Sequence, residues 1–175
     1  PRHKFVHTQD ETLPFKDNSF DLIYTAFVLE HTKNPKKFIK EIVRVLDFKG
    51  ELVIICPNYG APNRRSPNSK ESPVKKLLNG FFKDFSLNSN LNWTKVTPKK
   101  RFKKIDDDTT VEPYILSLKK YLESKNLKVS KTSSLWRLEE KTTSLRKLLF
   151  LVLGKLGVFP FKYWGPQIFL VAKKK

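Results

Sequence analysis

The feature that most constrains this chain is a strand–helix–strand pattern early in the sequence. An apolar run without clean alternation, FDLIYT (20–25), is typical of a parallel strand that is covered on both faces. Asn34 can then cap a helix over residues 35–46, which carries apolar residues at helical spacing. The run ELVII (51–55) predicts a second buried strand. Such a unit places its two strands parallel, with a right-handed crossover through the helix.

The remainder of the chain divides into a long insertion and a return to regular structure. Residues 60–113 are rich in Asn, Pro, Ser and Lys, and a loop of this length is usually functional or forms its own cap. The patterns that follow indicate a helix, a strand near 128–138, an apolar helix over 144–159 and a closing strand. We therefore predict an α/β fold with core segments 1–59 and 114–175, and an insertion that acts as a lid.

Two stretches of the insertion carry local structural signals. The run VKKLLNGFFKDF (74–85) predicts a short amphipathic helix. In DDDTTVEPY, Thr110 is a candidate helix cap, with Glu112 near the positive end of the helix and Pro113 in its first turn. The acidic residues of this stretch could bind a cationic or hydroxylated substrate, or pair with lysines such as Lys99. They are Asp106, Asp107, Asp108 and Glu112.

The charge balance limits the classes of partner. Net charge is +18, from 35 basic and 17 acidic residues, which suits nucleic acid or an anionic membrane surface. The basic residues are mostly lysines spread along the whole chain, whereas arginine is the usual choice for contacts to bases and phosphates, so nucleic acid is disfavoured. The single cysteine, Cys56, is expected to be a buried side chain, and the three histidines lack metal-ligand spacing, so no metal site is predicted.

A family resemblance lies in residues 13–58, LPFKDNSFDLIYTAFVLEHTKNPKKFIKEIVRVLDFKGELVIICPN. This stretch resembles the C-terminal half of class I S-adenosylmethionine-dependent methyltransferases of the small-molecule, type 11-like group. In that family an LPF…SFD segment leads into the fourth strand, which ends near LEH, and a helix with an E…RVL pattern leads to the fifth. The resemblance implies S-adenosylmethionine as cofactor and a partial Rossmann-like sheet, from the end of the third strand to the seventh, with the insertion after the fifth.

One departure concerns the part of the family fold that precedes these strands. The family's glycine-rich loop holds the methionine part of the cofactor, and backbone that close to a ligand needs glycine. All six glycines of this chain lie at position 50 or later, and the acidic residue that would bind the ribose hydroxyls is absent too. We therefore expect the chain to be the C-terminal portion of a longer methyltransferase and to be inactive alone.

The resemblance also implies which residues would contact the cofactor. Gln9 stands in register with the family's acidic residue at the end of the third strand, and Asp10 is next to it. The Gln9 amide oxygen could accept the same hydrogen bond from the adenine amino group, although an exposed turn is the alternative for this pair. Thr25 and Phe27 leave the fourth strand and would line the cofactor side, because ligands of open α/β sheets bind beyond the carboxyl ends of the strands.

The same edge carries the candidates for catalysis and for acceptor binding. His31 could remove a proton from the acceptor, because an imidazole titrates near neutral pH, and holding the loop is its structural alternative. Glu30 would face the acceptor or cap the following helix. Asn58 and Tyr59 follow the fifth strand and could orient the acceptor or form a turn. Trp93 is the substrate candidate from the insertion.

The predicted function is methyl transfer to an O, N or C atom of a small molecule. The apolar segment 144–159 suits a lipid-like acceptor, and its interrupting basic residues allow it to act as a lid helix or to lie along an anionic membrane surface. The alternative function is a non-catalytic basic module that docks on a membrane or a partner with a degenerate methyltransferase scaffold. The predicted location is cytoplasmic, with peripheral binding at the membrane left open.

Overall fold

The computed structural model describes residues 5–8, 10–61, 71–86, 88–99, 107–135 and 145–175. Its elements form the predicted α/β class of fold. The strands are β1 (Phe20–Ala26), β2 (Leu46–Pro57), β3 (Thr94–Lys95), β4 (Val111–Glu112), β5 (Leu127–Leu135) and β6 (Gln167–Lys174). The helices are α1 (Pro35–Val45), α2 (Pro73–Phe85), α3 (Ile115–Glu123) and α4 (Leu145–Lys155), with 3-10 turns at Leu29–His31 and Phe161–Tyr163.

Four strands form the main sheet in the order β1–β2–β6–β5. β1 and β2 are parallel, whereas β6 runs antiparallel to both of its neighbours, β2 and β5. Because α1 connects the parallel pair, the predicted strand–helix–strand unit is confirmed. The parallel pair places the carboxyl ends of β1 and β2 side by side.

Helix α1 forms where the capping pattern predicts it. The Asn34 side chain accepts a hydrogen bond from the Lys37 backbone N–H at 3.1 Å, and Pro35 occupies the first turn, where no N–H is needed. The apolar stripe of the helix joins the core with side chains of the sheet and of α3. Its buried members are Ile39, Ile42 and Val45. Each fully buried side chain of this size contributes about 1.5–3 kcal/mol.

Burial of the strands differs from the prediction in one respect. The apolar run of β1 predicted cover on both faces, but Leu22 and Tyr24, which share one face of the strand, are 60% and 62% exposed. In β2 burial alternates, with Leu52, Ile54 and Cys56 buried in the core and the residues between them partly exposed. An apolar run therefore shows which side chains suit burial, and not which neighbours cover them.

The described parts of the insertion add to the same core as the sheet. The predicted helix over 74–85 is confirmed as α2, which starts one residue earlier, at Pro73. Leu91, Trp93 and Val111 pack in one hydrophobic cluster with the sheet and α3.

The predicted helix start at Thr110 is wrong. Val111 and Glu112 form β4, which pairs with β3, and α3 begins only at Ile115. The Thr110 hydroxyl donates to backbone carbonyl oxygens of the loop after β1 and caps no helix. A long-range strand pairing therefore outweighs the local capping tendency of this sequence.

The C-terminal region contains the predicted elements with shorter bounds. β5 ends at Leu135 and α4 covers Leu145–Lys155, while the predicted positions 136–144 lie outside the described residues. The closing strand is confirmed as β6. Among the helices of the described ranges, none has the length and apolar character needed to cross a bilayer.

Candidate active site at the carboxyl edge of the parallel strands

Strand β1 ends in a sharp turn at the carboxyl edge of the sheet. The Phe27 backbone N–H still donates to the Ile55 carbonyl oxygen of β2, at 2.8 Å. Phe27 has a φ of 56°, a left-handed conformation that costs a non-glycine residue about 1–3 kcal/mol. Its ring is exposed, while Thr25 is buried and its hydroxyl has no hydrogen-bond partner within the described ranges. Thr25 and Phe27, two predicted cofactor residues, therefore both lie at the end of β1, one with a buried hydroxyl and one with an exposed ring.

The predicted adenine contacts are described only in part. Gln9 lies outside the described residues, and Asp10 is exposed with a φ of 53°. The neighbouring Glu11 was not singled out from the sequence, yet its carboxylate accepts hydrogen bonds from the backbone N–H groups of Lys33 and Asn34, at 2.8 and 3.2 Å. Glu11 therefore holds the turn around Asp10 beside the loop that follows β1.

The insertion fixes the loop that follows β1. This loop contains the 3-10 turn Leu29–His31, which the buried Leu29 side chain anchors in the core. The Thr110 backbone N–H donates to the Glu30 carbonyl oxygen at 2.8 Å, and its hydroxyl donates to the carbonyl oxygens of Glu30 and Thr32 at 3.0 and 2.7 Å. The position of Glu30 thus depends on a residue that is far away in the sequence.

His31 lies between two carboxylates. Its Nε2 atom is 3.7 Å from Glu30 Oε1, and its Nδ1 atom is 3.2 Å from Asp108 Oδ1. Glu30 is fully buried, whereas His31 and Asp108 are 31% and 52% exposed. These are contacts between charges and not hydrogen bonds, because the Nδ1 atom has no hydrogen-bond partner within the described ranges. An imidazole can accept and release a proton.

Asp107 and Asp108, which are neighbours in the acidic run of the insertion, have different partners. Asp108 reaches His31, whereas Asp107 pairs with Lys99 at 2.7 Å, which is one of the two interpretations left open from the sequence. Asp106 lies outside the described residues. Sequence analysis identified Asp108 only as one member of an acidic run, because its contact with His31 depends on the path of the insertion.

Asn58 and Tyr59 follow β2 at the same edge, and both are buried. The Asn58 amide donates to the carbonyl oxygens of Tyr163 and Gly165, at 2.7 and 2.9 Å, and so holds the segment before β6. The Tyr59 hydroxyl lies 3.5 Å from Thr109 Oγ1 in the insertion. Both side chains join neighbouring segments around the site, and their role in orienting an acceptor stays a prediction.

Trp93 is buried in the insertion, and its indole N–H donates to the Ser117 hydroxyl at 2.7 Å. Its ring lines a cleft of about 240 Å³ at the start of α1. An indole whose N–H is already bonded can offer a ligand only its ring. The other residues that line this cleft are Lys33, Asn34, Pro35, Lys36, Leu91, Lys95 and Val111.

A buried ion pair that joins α2 to β4 was not predicted. Lys76 Nζ lies 2.8 Å from Glu112 Oε1, and the two side chains are 4% and 0% exposed. The Lys76 ammonium also lies 5.2 Å from the centroid of the Tyr59 ring. The Tyr114 hydroxyl is 3.4 Å from Glu112 Oε2, and burial raises the pKa of Tyr114. No local pattern could identify this pair, because its partners are 36 positions apart.

Two further contacts hold α2 against the protein. Asp84 Oδ1 accepts hydrogen bonds from the Leu116 and Ser117 backbone N–H groups at the start of α3, at 2.8 and 3.2 Å, and burial raises the pKa of Asp84 to about 6. Gly80 lies against the turn after β2, because a Cβ at that position would be 3.1 Å from the Gly60 Cα. The side of α2 that faces the protein is therefore polar or small.

Comparison with known proteins relates the chain to one group of enzymes. Residues 1–54 match the family described as a methyltransferase domain. An uncharacterized protein of Methanocaldococcus jannaschii is 34% identical over 108 residues, which are 62% of this chain and 50% of that protein. The ubiquinone/menaquinone biosynthesis C-methyltransferase of Rickettsia prowazekii is 35% identical over 86 residues, which are 49% of this chain and 29% of that protein. The chain thus spans half or less of the length of these relatives.

Solved structures agree on the fold. An S-adenosylmethionine-dependent methyltransferase from Mesorhizobium loti has a TM-score of 0.51 and 9% sequence identity, with 95% of this chain and 67% of that chain covered. At this identity the likeness concerns the fold alone. The fold is that of the Rossmann-like class I methyltransferases. Residues 1–54 match the methyltransferase-domain family, and the described chain is similar in fold to a solved S-adenosylmethionine-dependent methyltransferase.

Proposed function

We propose that the protein transfers a methyl group from S-adenosylmethionine to an apolar, lipid-like small molecule. The observation that carries this proposal is the position of Thr25, Phe27 and the Glu30–His31 pair at the end of β1 and in the loop that follows, beside the end of the parallel strand β2. Open α/β sheets bind ligands at this edge. The match to the methyltransferase-domain family ends at residue 54, in β2, so it includes β1 and the loop that follows it.

Thr25 and Phe27 would hold one side of the cofactor, with Gln9 and Asp10 on the adenine side. The buried Thr25 hydroxyl fits this role because it lacks a partner within the described ranges, and buried polar groups normally have one. The exposed ring of Phe27 offers an apolar surface beside it. When bound, S-adenosylmethionine supplies a methyl group on a positively charged sulfur.

His31 would act as the base for an acceptor that carries a proton on the reacting atom. With S-adenosylmethionine bound, the His31 imidazole would take the proton from the acceptor atom that receives the methyl group. Glu30 and Asp108 lie close enough to offset the positive charge that the ring would gain. Apart from proton removal, the site would need only to align S-adenosylmethionine with the acceptor.

Two observations favour an apolar acceptor. The Rickettsia prowazekii relative acts, by its name, in quinone biosynthesis, and quinones of that kind are lipid-like. The described helices of the insertion and the C-terminal region also carry exposed apolar side chains, which suit an apolar acceptor arriving from a lipid phase. Asn58, Tyr59 and Trp93 would shape the acceptor side.

The first experiment measures cofactor binding by isothermal titration calorimetry with the full-length protein that contains these residues. We expect Thr25→Val to weaken S-adenosylmethionine binding by about tenfold, because one hydrogen bond is lost. Thr132→Val is the matched control, because Thr132 in β5 also has a buried hydroxyl without a hydrogen-bond partner within the described ranges. Absence of binding to the full-length protein would contradict the proposal.

The second experiment tests the base. We expect His31→Gln to lower kcat for methylation of a ubiquinone or menaquinone precursor by about a hundredfold or more and to change KM much less, because a base acts in the reaction step. His7→Gln, which changes an exposed histidine, should leave both unchanged. A His31 variant that raises KM and keeps kcat near the wild-type value would contradict the role of a base.

The alternative function, a non-catalytic docking module on a methyltransferase scaffold, is favoured by the same exposed apolar side chains. The two functions separate in the calorimetric experiment, because a docking module needs no S-adenosylmethionine. Binding that Thr25→Val weakens and Thr132→Val leaves unchanged would favour the enzyme.

A further inference from the structure

Helix α2 is amphipathic with its apolar side facing away from the protein. Among the described side chains of α2, the buried ones are Lys76, Gly80 and Asp84, which recur every four positions. The opposite stripe is apolar and exposed, and it comprises Val74, Leu78, Phe81, Phe82 and Phe85. A helix of a soluble domain normally buries its apolar stripe, so this arrangement indicates a surface that another apolar body covers.

A second exposed stripe lies on and after α4. It comprises Leu145, Leu148, Leu149 and Val152 in the helix, followed by Leu156, Val158 and Phe159. The two stripes are joined by a ring contact, because the centroids of Phe85 and Phe159 are 5.6 Å apart. Phe81 continues the contact on the α2 side, at 4.6 Å from Phe85. We call the two joined stripes the α2–α4 apolar surface.

The exposed charges described on the two helices are positive, Lys75 on α2 and Lys155 on α4. The acidic residue of α2, Asp84, is buried against α3, and Glu71 before the helix accepts a hydrogen bond from the Asn79 side chain. Residues 145–175 contain no Asp or Glu at all. An apolar stripe with lysines beside it matches an anionic bilayer surface, where the side chains enter the acyl region and the ammonium groups remain near the headgroups.

We propose that the α2–α4 apolar surface docks on an anionic lipid membrane. A second copy of this chain is the less favourable occupant, because it would bring a net charge of +18 to the same lysine-rich surface. α4 has 11 residues and is therefore about 16 Å long, whereas a bilayer core is about 30 Å thick, so the helix lies along the membrane. This inference does not depend on the proposed methyl transfer, although docking would bring an apolar acceptor close.

The test is sedimentation of the full-length protein with vesicles of phosphatidylcholine alone or mixed with an equal part of phosphatidylglycerol. We expect binding only to the mixed vesicles, with weaker binding as salt is added. Leu78→Ser/Phe82→Ser should lower this binding on the order of tenfold or more, because two side chains lose their apolar contact with lipid. Phe48→Ser is the matched control, because Phe48 is 64% exposed outside the surface and Phe82 is 67% exposed within it.

The results distinguish a membrane from a second copy of the chain as the partner of the α2–α4 apolar surface. Circular dichroism checks the fold of each variant, and Val152→Ser in α4 serves as a second probe of the same surface. Equal sedimentation with both vesicle types, or an equal loss in Phe48→Ser, would overturn the proposal. It would also be overturned if light scattering showed a dimer that Leu78→Ser/Phe82→Ser dissociates. S-adenosylmethionine binding should be unchanged in the surface variants, so a failure of docking is distinguishable from a failure of the methyltransferase proposal.

Discussion

Helices α1 and α2 begin in the same way and bury opposite sides. Each has a proline in its first turn and a capping side chain, Asn34 or Ser72, which accepts a hydrogen bond from the backbone N–H three residues later. α1 turns its apolar stripe into the core. α2 turns its apolar stripe outward and attaches itself through an ion pair, a carboxylate and a glycine contact.

This comparison shows that the signals that form a helix differ from the contacts that decide which of its sides is buried. Caps and periodicity are local, and they predicted both helices. Which side is buried depends on the groups of the neighbouring elements. α2 packs against a glutamate on β4, backbone N–H groups at the start of α3 and a glycine turn after β2. Four predictions test this comparison, from the largest expected effect to the smallest.

The largest effect is expected for the ion pair under α2. Lys76→Met leaves the fully buried Glu112 carboxylate without its 2.8 Å partner, and we expect a loss of about 3–5 kcal/mol in the free energy of unfolding, measured in urea. The double variant Lys76→Met/Glu112→Leu should recover most of this loss. If Lys76→Met costs less than about 1 kcal/mol, the ion pair does not hold α2 in place.

The next effect compares apolar residues on the two helices. Ile42→Ala in α1 should cost about 2–5 kcal/mol, because it leaves a cavity in the core. Phe82→Ala in α2 should change the free energy of unfolding by about 0.5 kcal/mol or less, because its ring is exposed. Similar losses in the two variants would show that α2 buries its apolar side in solution.

The third prediction concerns the pH dependence of stability. The buried acid of α2 and the paired acid of α1 change the free energy of unfolding in opposite directions as pH rises. The pKa of Asp84 rises from 3.8 to about 6 on folding, so its contribution to stability is present below pH 3.8 and is lost as pH rises through about 6. We expect the wild type to lose about 2–3 kcal/mol across this window relative to Asp84→Asn, which keeps an acceptor oxygen for α3. Urea titrations at several pH values measure the difference.

On α1 the corresponding acid acts in the other direction. The hydrogen bond from the Arg44 guanidinium lowers the pKa of Glu41 below its usual value of 4.5. Its contribution is therefore present above that value and is lost as pH falls through the lowered pKa. Glu41→Gln should remove this acid-side loss and leave the dependence due to Asp84 intact. If Asp84→Asn and wild type show the same pH dependence, the carboxyl of α2 does not carry the raised pKa.

The smallest effect is expected for the caps. Asn34→Ala and Ser72→Ala should each cost about 1 kcal/mol in thermal unfolding, since each removes one side-chain acceptor from a helix start. Equal costs would show that capping contributes independently of which side is buried. A cost at Asn34 alone would indicate that α2 is held only by its tertiary contacts.

The sequence predicted those parts of the fold that local patterns determine. The strand–helix–strand unit, α2 and the closing strand are periodic segments with clear caps or turns, and each is found. The ends of β1 and β2 also bring Thr25, Phe27 and Glu30 to one edge, as any parallel pair must. The structure locates these side chains, and their roles with ligands stay predictions.

The parts that sequence analysis missed depend on contacts between distant segments. Val111 and Glu112 form a strand because β3 pairs with them, although their own sequence favours a helix start. Asp108 reaches His31, and Lys76 reaches Glu112, only after the insertion has folded back on the core. A local pattern in one sequence carries no information about contacts between distant segments.

The position of β6 in the sheet affects how the protein is made. β6 separates β2 from β5, although it is synthesised after both of them. While the ribosome is still translating residues 136–166, β2 and β5 both lack the neighbour that later joins them. Nascent chains at that stage expose one edge of β2 and all of β5 without a partner strand, so chaperone binding should be strongest there and should end once β6 emerges.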